Sequence, residues 1–235
     1  LDVLAIGAAV NDVSVDFDRY WASESAYPVD RLLKKPEPGR LEELEQAALR
    51  VEQSPEAAAY AEAMRKLPFI KQLLQGELTL EWADTRMVSD DPRKTLGTAP
   101  PEAMLPHQLY EIVGTPATDL ELVSPYFVPT AAGTRAFADM ARNGIKVKVL
   151  TNALEATDVA VVHSGYAKRR KDLLESGVEL FEMKRMSTGV ERNKSMGPFG
   201  SSGSSLHAKT FAVDGKRIFV GSFNFDPRSA RLNTE

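Results

Sequence analysis

Helical patterns alternate with short runs of apolar and β-branched residues from residue 105 onward, and this alternation constrains the fold more than any other feature of the sequence. Gly144 and Gly177 each follow a helical stretch, where glycine commonly ends a helix. The predicted elements are helix 105–113, strand 120–123, helix 130–143, strand 145–150, helix 158–176 and strand 178–181. This order is typical of an α/β fold with parallel strands.

The end of the chain has the pattern of a β-hairpin. Residues 206–213 and 218–221 alternate apolar and polar side chains, and Asp214-Gly215 between them is a strong turn signal. Residues 185–205 are rich in Gly, Ser and basic residues without periodicity, so we expect a long mobile loop there.

The N-terminal part is organised differently. An apolar run over 3–7 suits a short buried strand, and Asn11 or Asp12 can cap the helix that follows. Prolines mark residues 27–40 as a linker. The remaining predicted elements are helices over 41–53 and 56–75, a strand over 77–88 and a loop over 90–101.

Composition excludes several classes of protein. Hydrophobic residues make up 43% of the chain and charged residues 26%, which is ordinary for a globular protein and excludes a disordered or collagen-like chain. The absence of cysteine excludes disulfides, thiolate metal sites and a cysteine nucleophile. No apolar run approaches the roughly 20 residues that span a bilayer. Residues 117–235 carry a net charge of +4, against −8 for residues 1–116, and a basic half can favour phosphate-bearing partners.

The chemistry-bearing residues concentrate near the C-terminus. His207, Lys209 and Asp214 have the spacing H-x-K-x4-D, and residues two apart on a strand share one face. An imidazole beside an ammonium suits phosphoryl transfer, because the ring can attack phosphorus or protonate a leaving oxygen while the cation binds the other oxygens. Asp214 before a glycine also has the simpler interpretation of a turn residue.

Further polar groups follow the hairpin. Ser222 and Asn224 supply a hydroxyl and an amide, and Glu235 is a carboxylate able to orient an imidazole. Taken singly, Ser222 and Asn224 could instead cap the helix that begins near 226–227. His163 and His107 are more readily explained as structural, and the basic run 168–171 as a solvated helix face, with contact to anionic headgroups as the alternative.

The conjunction of these residues resembles a known family. The segment LHAKTFAVDGKRIFVGSFNFDPRSARLNTE is similar to the second HKD motif of the phospholipase D superfamily, which reads H-x-K-x4-D-x6-G-S-x-N with a late Glu. Three other stretches resemble the bacterial cardiolipin synthases, particularly their type C group: residues 124–130 (SPYFVPT), the run from Leu150 (LTNALEATDVAVVHSGYAKRRKDLLESGVELFE) and the opening LDVLAIGAAVNDVSVDFDRYW.

The resemblance implies a fold and a set of site residues. The fold would be α/β, a mixed sheet flanked by helices as in phospholipase D. His207 would be one of two catalytic imidazoles, Lys209 and Asn224 would bind phosphate oxygens, and Ser222 would support them. Glu235 would pair with the imidazole, and Asp214 would organise the motif. No metal and no cofactor is implied, because Lys and Asn stabilise the charge.

The chain departs from the family in one respect. Such synthases carry two HKD motifs in two lobes, whereas His207 belongs to the one H-x-K in this sequence, since Gln108-Leu109 follow His107 and Ser164-Gly165 follow His163. The opening LDVLAIG resembles the strand after the first motif. We therefore expect residues 1–75 to be the remainder of the first lobe with a helical connector, and residues 76–235 to be the second lobe.

The implied reaction joins two phospholipids. One His displaces an alcohol from a phosphatidyl group, the other protonates that alcohol, and a hydroxyl of phosphatidylglycerol resolves the phosphohistidine to give cardiolipin. We expect His207 to be the general acid–base. The expected partners are phosphatidylglycerol, with phosphatidylethanolamine as a second substrate, and a missing N-terminal lobe or a homodimer partner. The expected location is peripheral, on the cytoplasmic face of the bacterial inner membrane.

Two alternatives belong to other classes. One is a phosphodiesterase or nuclease that dimerises to bring two His207 side chains together. A sequence pI near 5.6 and the lack of a strong basic patch argue against nucleic acid as the main substrate. The other is a non-catalytic module that binds phosphate or lipid headgroups.

Overall fold

The computed structural model describes residues 3–184 and 206–235, so the loop predicted over 185–205 lies outside the described residues. The chain divides into two compact units: Leu1–Ala26 together with Met87–Glu235, and Tyr27–Arg86. In chain order the α-helices are α1 Ala9–Trp21, α2 Val29–Leu32, α3 Arg40–Glu52, α4 Pro55–Arg65, α5 Pro68–Gln75, α6 Leu105–Val113, α7 Ala131–Arg142, α8 Ala160–Glu175 and α9 Pro227–Arg231. Two 3-10 helices span Pro92–Leu96 and Pro101–Ala103.

A mixed five-stranded sheet forms the centre of the larger unit. Its strands are β1 Asp119–Val123, β2 Lys146–Asn152, β3 Glu179–Met183, β4 Thr210–Val213 and β5 Arg217–Val220. They lie in the order β3-β2-β1-β4-β5, with β1, β2 and β3 parallel and with β4 antiparallel to both β1 and β5. The α/β class with a mixed sheet flanked by helices is therefore confirmed.

Local sequence explains these elements. Thr130 caps α7 by accepting a hydrogen bond from the Gly133 N–H at 3.3 Å. Asp214 and Gly215 both have positive φ, 55° and 60°, which the tight turn between β4 and β5 requires. Apolar side chains of the sheet and of the helices that flank it form one core, which includes Leu122, Val147, Val149, Phe127, Tyr166 and Leu173.

The smaller unit, Tyr27–Arg86, contains α2 to α5. Ser54 caps α4 by accepting a hydrogen bond from the Ala57 N–H at 3.1 Å, and Pro55 follows at the first helical position. None of these four helices has a fully buried side chain.

Several predicted elements are wrong. Residues 3–6 and 77–88 contain no strand, because no other described segment pairs with them, and an unpaired strand leaves its backbone groups unbonded. The helix predicted over 56–75 is two helices, because Pro68 lacks the N–H that a continuous helix would need and begins α5 instead. Residues 206–209 precede β4 in an irregular conformation, so the strand predicted from 206 begins at Thr210.

Within the described ranges 3–184 and 206–235, no helix combines the length and the apolar character needed to cross a membrane.

Candidate active site

His207 and Lys209 lie at the edge of the sheet where the parallel strands end. Thr210, the first residue of β4, pairs with Val123, the last residue of β1, so the residues just before β4 adjoin the carboxyl ends of β1 and β2. This edge is where open α/β sheets usually bind ligands. The Nζ of Lys209 lies 3.2 Å from Nε2 of His207 and 3.2 Å from its carbonyl oxygen.

The contact between these two side chains bears on whether Nε2 of His207 carries a proton. A Lys ammonium carries only donors, so it can form a hydrogen bond at this distance only with an Nε2 that carries no proton. Partial burial lowers the pKa of Lys209, while the carboxylates of Glu235 and Asp158 act in the opposite direction and raise that pKa. The His207 side chain is exposed, so its ring is open to a substrate.

Ser222 and Asn224 follow β5, whose end lies against the segment before β4. The Gly221 N–H donates to the Lys209 carbonyl at 3.1 Å, which places the segment after β5 against the segment before β4. Asn224 is 7% exposed, and its Oδ1 is buried with no hydrogen-bond partner among the described residues. Ser222 is exposed. A buried amide oxygen without a partner costs free energy. This oxygen can only accept, so Nδ2 is the atom of Asn224 that could donate to a phosphate oxygen.

The segment that carries Asn224 is tied to the end of β1. The Phe225 N–H donates to Ser124 Oγ at 3.2 Å, and the Val128 N–H donates to the Phe225 carbonyl at 2.8 Å. Ser124 is fully buried and its hydroxyl donates to the Tyr126 carbonyl at 2.9 Å. The stretch SPYFVPT therefore holds the backbone next to Asn224 in place and adds no reactive group of its own.

Glu235 is anchored through its backbone. Its N–H donates to Asp90 Oδ2 at 3.0 Å, and the Asp90 N–H donates to the Glu235 carbonyl oxygen at 3.1 Å. The Glu235 carboxylate is close enough to Lys209 to raise the pKa of that lysine. Among the hydrogen bonds of the described residues, none joins the Glu235 side chain to His207, so the expected pairing of the two stays a prediction.

Asp214 lies at the opposite end of β4 from His207. Its carboxylate accepts hydrogen bonds from the backbone N–H groups of Ala117, Thr118 and Asp119, at 2.8 to 3.2 Å. These hydrogen bonds lower the pKa of Asp214 to about 2. At about 3.3 Å per residue, β4 separates Asp214 from Lys209 by roughly 15 Å. Asp214 joins the hairpin to the start of β1, which is the organising role that the turn interpretation favours.

Sequence reasoning missed the residues that form hydrogen bonds with the backbone and side chains around the site. Asn152 at the end of β2 contacts Leu206, and Asp90 contacts Glu235, but each pair is far apart in sequence. Tyr126 donates to both carboxylate oxygens of Asp158, at 2.9 and 2.8 Å. Burial and the Asp158 carboxylate raise the pKa of Tyr126 to about 12. The resemblances of SPYFVPT and of the run from Leu150, which contains Asn152 and Asp158, pointed toward this part of the site without assigning these residues a role.

The other candidates make no hydrogen bond to His207 among the described residues. His163 is half-buried behind the edge, with Nδ1 at 3.3 Å from the Asn152 carbonyl and its ring edge-on to Tyr166. His107 is exposed on α6. In the basic run, Arg170 pairs with Glu182 at 2.7 Å and Lys171 with Glu175 at 3.6 Å, which fits a solvated face. Among the residues that the structure describes, no group of His, Asp and Glu is arranged to hold a metal ion.

Comparison with known proteins gives consistent matches. The protein family described as "Cardiolipin synthase, PLD-like domain" matches residues 112–235. Cardiolipin synthase C of Escherichia coli is 47% identical over the whole chain, which covers 50% of that protein. An uncharacterized protein of Helicobacter pylori is 27% identical over the whole chain and 46% of its own length, and cardiolipin synthase A of Proteus mirabilis is 27% identical over 57% of the chain. The chain thus spans about half the length of the curated relatives that it matches throughout.

Proposed function

This chain belongs to the family of cardiolipin synthase, phospholipase D-like domains, and on that premise we propose that it supplies half of the active site of a phosphatidyltransferase that makes cardiolipin. One observation carries the proposal: Lys209 Nζ lies 3.2 Å from His207 Nε2, and the Gly221 N–H bonds the Lys209 carbonyl, which joins this pair to the segment that carries Ser222 and Asn224. A ring nitrogen, a cation and an amide at one edge are the groups that transfer of a phosphodiester needs.

The reaction proceeds in two displacements. In the first, an imidazole nitrogen forms a bond to the phosphorus of a phosphatidyl group, the bond from phosphorus to the headgroup oxygen breaks, and a second imidazole gives that oxygen a proton. In the second, a hydroxyl of phosphatidylglycerol loses its proton to the second imidazole and attacks phosphorus, which frees the first ring. The covalent intermediate thus divides one difficult transfer between two lipids into two displacements with lower barriers.

His207 takes the role of the second imidazole, the general acid–base. An Nε2 that accepts a hydrogen bond from Lys209 is in the form that can take a proton from the acceptor hydroxyl. Lys209, Asn224 and Ser222 donate to the non-bridging phosphate oxygens. Glu235 stabilises the charged ring, and Asp214 keeps the hairpin in register with β1.

The first imidazole comes from outside this chain. The sequence holds one H-x-K, at His207, so the second ring belongs to a first lobe on the same polypeptide or to a second copy of the chain. Residues 1–75 complete that first lobe and its helical connector, and residues 76–235 form the second lobe. The compact unit Tyr27–Arg86 supports the connector, whereas Leu1–Ala26 groups with Met87–Glu235 and does not by itself support a boundary at residue 75.

Substrate and location follow from the same proposal. Phosphatidylglycerol is the acceptor, and phosphatidylglycerol or phosphatidylethanolamine is the donor. The enzyme acts peripherally at the cytoplasmic face of the bacterial inner membrane. The net charge of +4 over residues 117–235 favours an anionic lipid surface.

The test uses the full-length protein and vesicles that contain fluorescent phosphatidylglycerol. His207→Ala is expected to lower cardiolipin formation by about a thousandfold or more, because the group that gives and takes the proton in both displacements is removed. His107→Ala, which removes an exposed histidine of α6, serves as the matched control and is expected to keep the wild-type rate. Equal rates for His207→Ala and the control would contradict the proposal.

A further inference from the structure

A gap at the edge of the sheet is filled by the side chain of Asn152. β1 ends at Val123, which pairs with Leu150 of β2, and the chain then turns away after the Ser124 N–H donates to the Leu150 carbonyl at 3.0 Å. β2 continues to Asn152, and no strand formed by residues 3–184 or 206–235 lies beside it on that side. Asn152 therefore faces the segment before β4 across the space that β1 has left.

Asn152 makes two hydrogen bonds across this gap, both to the backbone of one residue. Its Nδ2 donates to the Leu206 carbonyl at 3.1 Å, and the Leu206 N–H donates to its Oδ1 at 3.0 Å. A neighbouring strand would supply the same pair of bonds from its own backbone. The Asn152 side chain thus supplies, for Leu206 immediately before His207, the two hydrogen bonds that the backbone of a neighbouring strand would otherwise make.

The side chain of Asn152 with its two hydrogen bonds to Leu206, here called the Asn152 clamp, is buried and belongs to the sheet. Asn152 is 3% exposed, and it pairs with Met183 of β3 as the last residue of the parallel sheet. Its carbonyl contacts Nδ1 of His163 at 3.3 Å. Residues 206–209 lie outside the ladder, so the Asn152 clamp at Leu206 and the bond from the Gly221 N–H to the Lys209 carbonyl define their path.

We propose that Asn152 is a positioning residue that holds the backbone before His207, and through it the imidazole, in line with the phosphate-binding groups. Only an amide side chain offers both a donor and an acceptor in this geometry. An Asp at this position loses the donor and sets a carboxylate oxygen against the Leu206 carbonyl, and a Leu loses both bonds. The catalytic consequence rests on the proposed function, whereas the structural consequence does not.

The experiment compares Asn152→Asp and Asn152→Leu with Asn143→Asp in the full-length protein. Asn143 is exposed after α7, which makes it a matched control for the same chemical change. Cardiolipin formation gives kcat and KM, and NMR of protein with ¹³C-labelled histidine reports on the His207 ring without any turnover. The spectrum of His207→Gln assigns the His207 signal by its loss.

Both clamp variants are expected to lower kcat by about 10- to 100-fold with little change in KM, because a displaced reacting group costs rate more than binding. The His207 signal is expected to shift or broaden in both, and to stay in place in Asn143→Asp. Asn152→Asp is also expected to regain activity as the pH falls, because protonation of the introduced carboxyl restores a donor toward Leu206. A merely structural role would instead lower the amount of folded protein and leave the His207 signal of the folded molecules in place.

The outcomes separate this inference from the proposed function. An unchanged His207 signal in Asn152→Asp, or an unchanged kcat despite a shifted signal, overturns the positioning role. If the wild-type protein makes no cardiolipin, the proposed function fails, and the His207 signal alone decides whether Asn152 positions the ring. Should Asn152→Leu not fold, the isosteric Asn152→Asp gives the decision.

Discussion

Asp90 and Lys94 form an ion pair of 2.6 Å in which neither side chain is exposed. The other Asp90 oxygen accepts from the Leu105 N–H at 2.7 Å, and the Lys94 ammonium also donates to the Ser229 carbonyl at 2.7 Å. Together with the bond from the Glu235 N–H, these contacts join the start of α6, the short helix α9 and the residue expected to pair with the imidazole. Glu235 is therefore positioned by a fully buried pair of charges.

Removal of either charge is expected to destabilise the larger unit strongly. Asp90→Asn leaves Lys94 buried without a counterion, a change that typically costs about 3–5 kcal/mol. Urea unfolding of the protein measures the free energy of unfolding. The matched control is Asp139→Asn, because Asp139 pairs with Arg142 at the surface and the pair is more than half exposed on both sides.

A double variant tests whether the cost comes from the unpaired charge. Asp90→Asn with Lys94→Met removes both charges, so most of the lost stability is expected to return. Equal losses in the single and double variants would show that packing or the hydrogen bonds to Leu105 and Glu235, rather than the charge, carry the effect.

Asp214 is expected to contribute to acid stability. Its pKa is about 2 in the folded chain against an ordinary value of 3.8, so its contribution is complete above about pH 4 and is lost as the pH falls toward 2. Asp214→Asn is expected to flatten this part of the dependence of unfolding free energy on pH. Some dependence remains, because the pKa of Asp91 is also about 2.

Asp214→Asn also tests whether Asp214 only stabilises the fold or takes a direct part in the reaction. Because Asp214 binds the start of β1 at the far end of β4, Asp214→Asn is expected to lose much less cardiolipin formation than His207→Ala when both are folded. A loss as large as that of His207→Ala, in a protein with wild-type stability at neutral pH, would assign Asp214 a direct part in the reaction.

The charge of Asp158 is expected to set the alkaline limit of activity. In the proposed reaction Lys209 must be protonated to bind phosphate oxygens. Burial lowers the pKa of Lys209, and the Asp158 carboxylate acts against that effect and raises it. Asp158→Asn therefore lowers that pKa further, and the alkaline limb of the pH–activity profile moves to lower pH. Asp172→Asn, at an exposed position of α8, is the control that leaves the limb unchanged.

Asn224 is expected to show opposite effects on stability and on activity. Its buried Oδ1 has no partner among the described residues, so Asn224→Leu removes an unsatisfied group and is expected to keep or raise the melting temperature. The loss of the amide donor is expected to lower kcat by about 100- to 1000-fold, as for other donors to a developing negative charge. A loss of stability in proportion to activity would instead make Asn224 a structural residue.

Part of the site could be predicted from the sequence. The two-residue spacing of His207 and Lys209 brings their side chains within 3.2 Å even though β4 begins only at Thr210. The turn at Asp214-Gly215 and the order of helices and strands from residue 105 follow from local patterns, because periodicity and turn chemistry are local properties.

The supporting residues could not be predicted in this way. Asn152 and Leu206 are 54 residues apart, and Asp90 and Glu235 are 145 apart, so only the folded sheet brings them together. The strand expected over 3–7 is wrong for a related reason, because an apolar run forms a strand only where another strand can pair with it.

The most direct test of the central claim compares the full-length protein with this 235-residue chain, each as wild type and as His207→Ala, in turnover of fluorescent phosphatidylglycerol in mixed micelles. The account predicts that only the full-length wild type makes cardiolipin, because His207 acts with a second imidazole from outside the chain. Turnover by the 235-residue chain alone, lost with His207→Ala, would contradict it and would show that one motif acts in a homodimer.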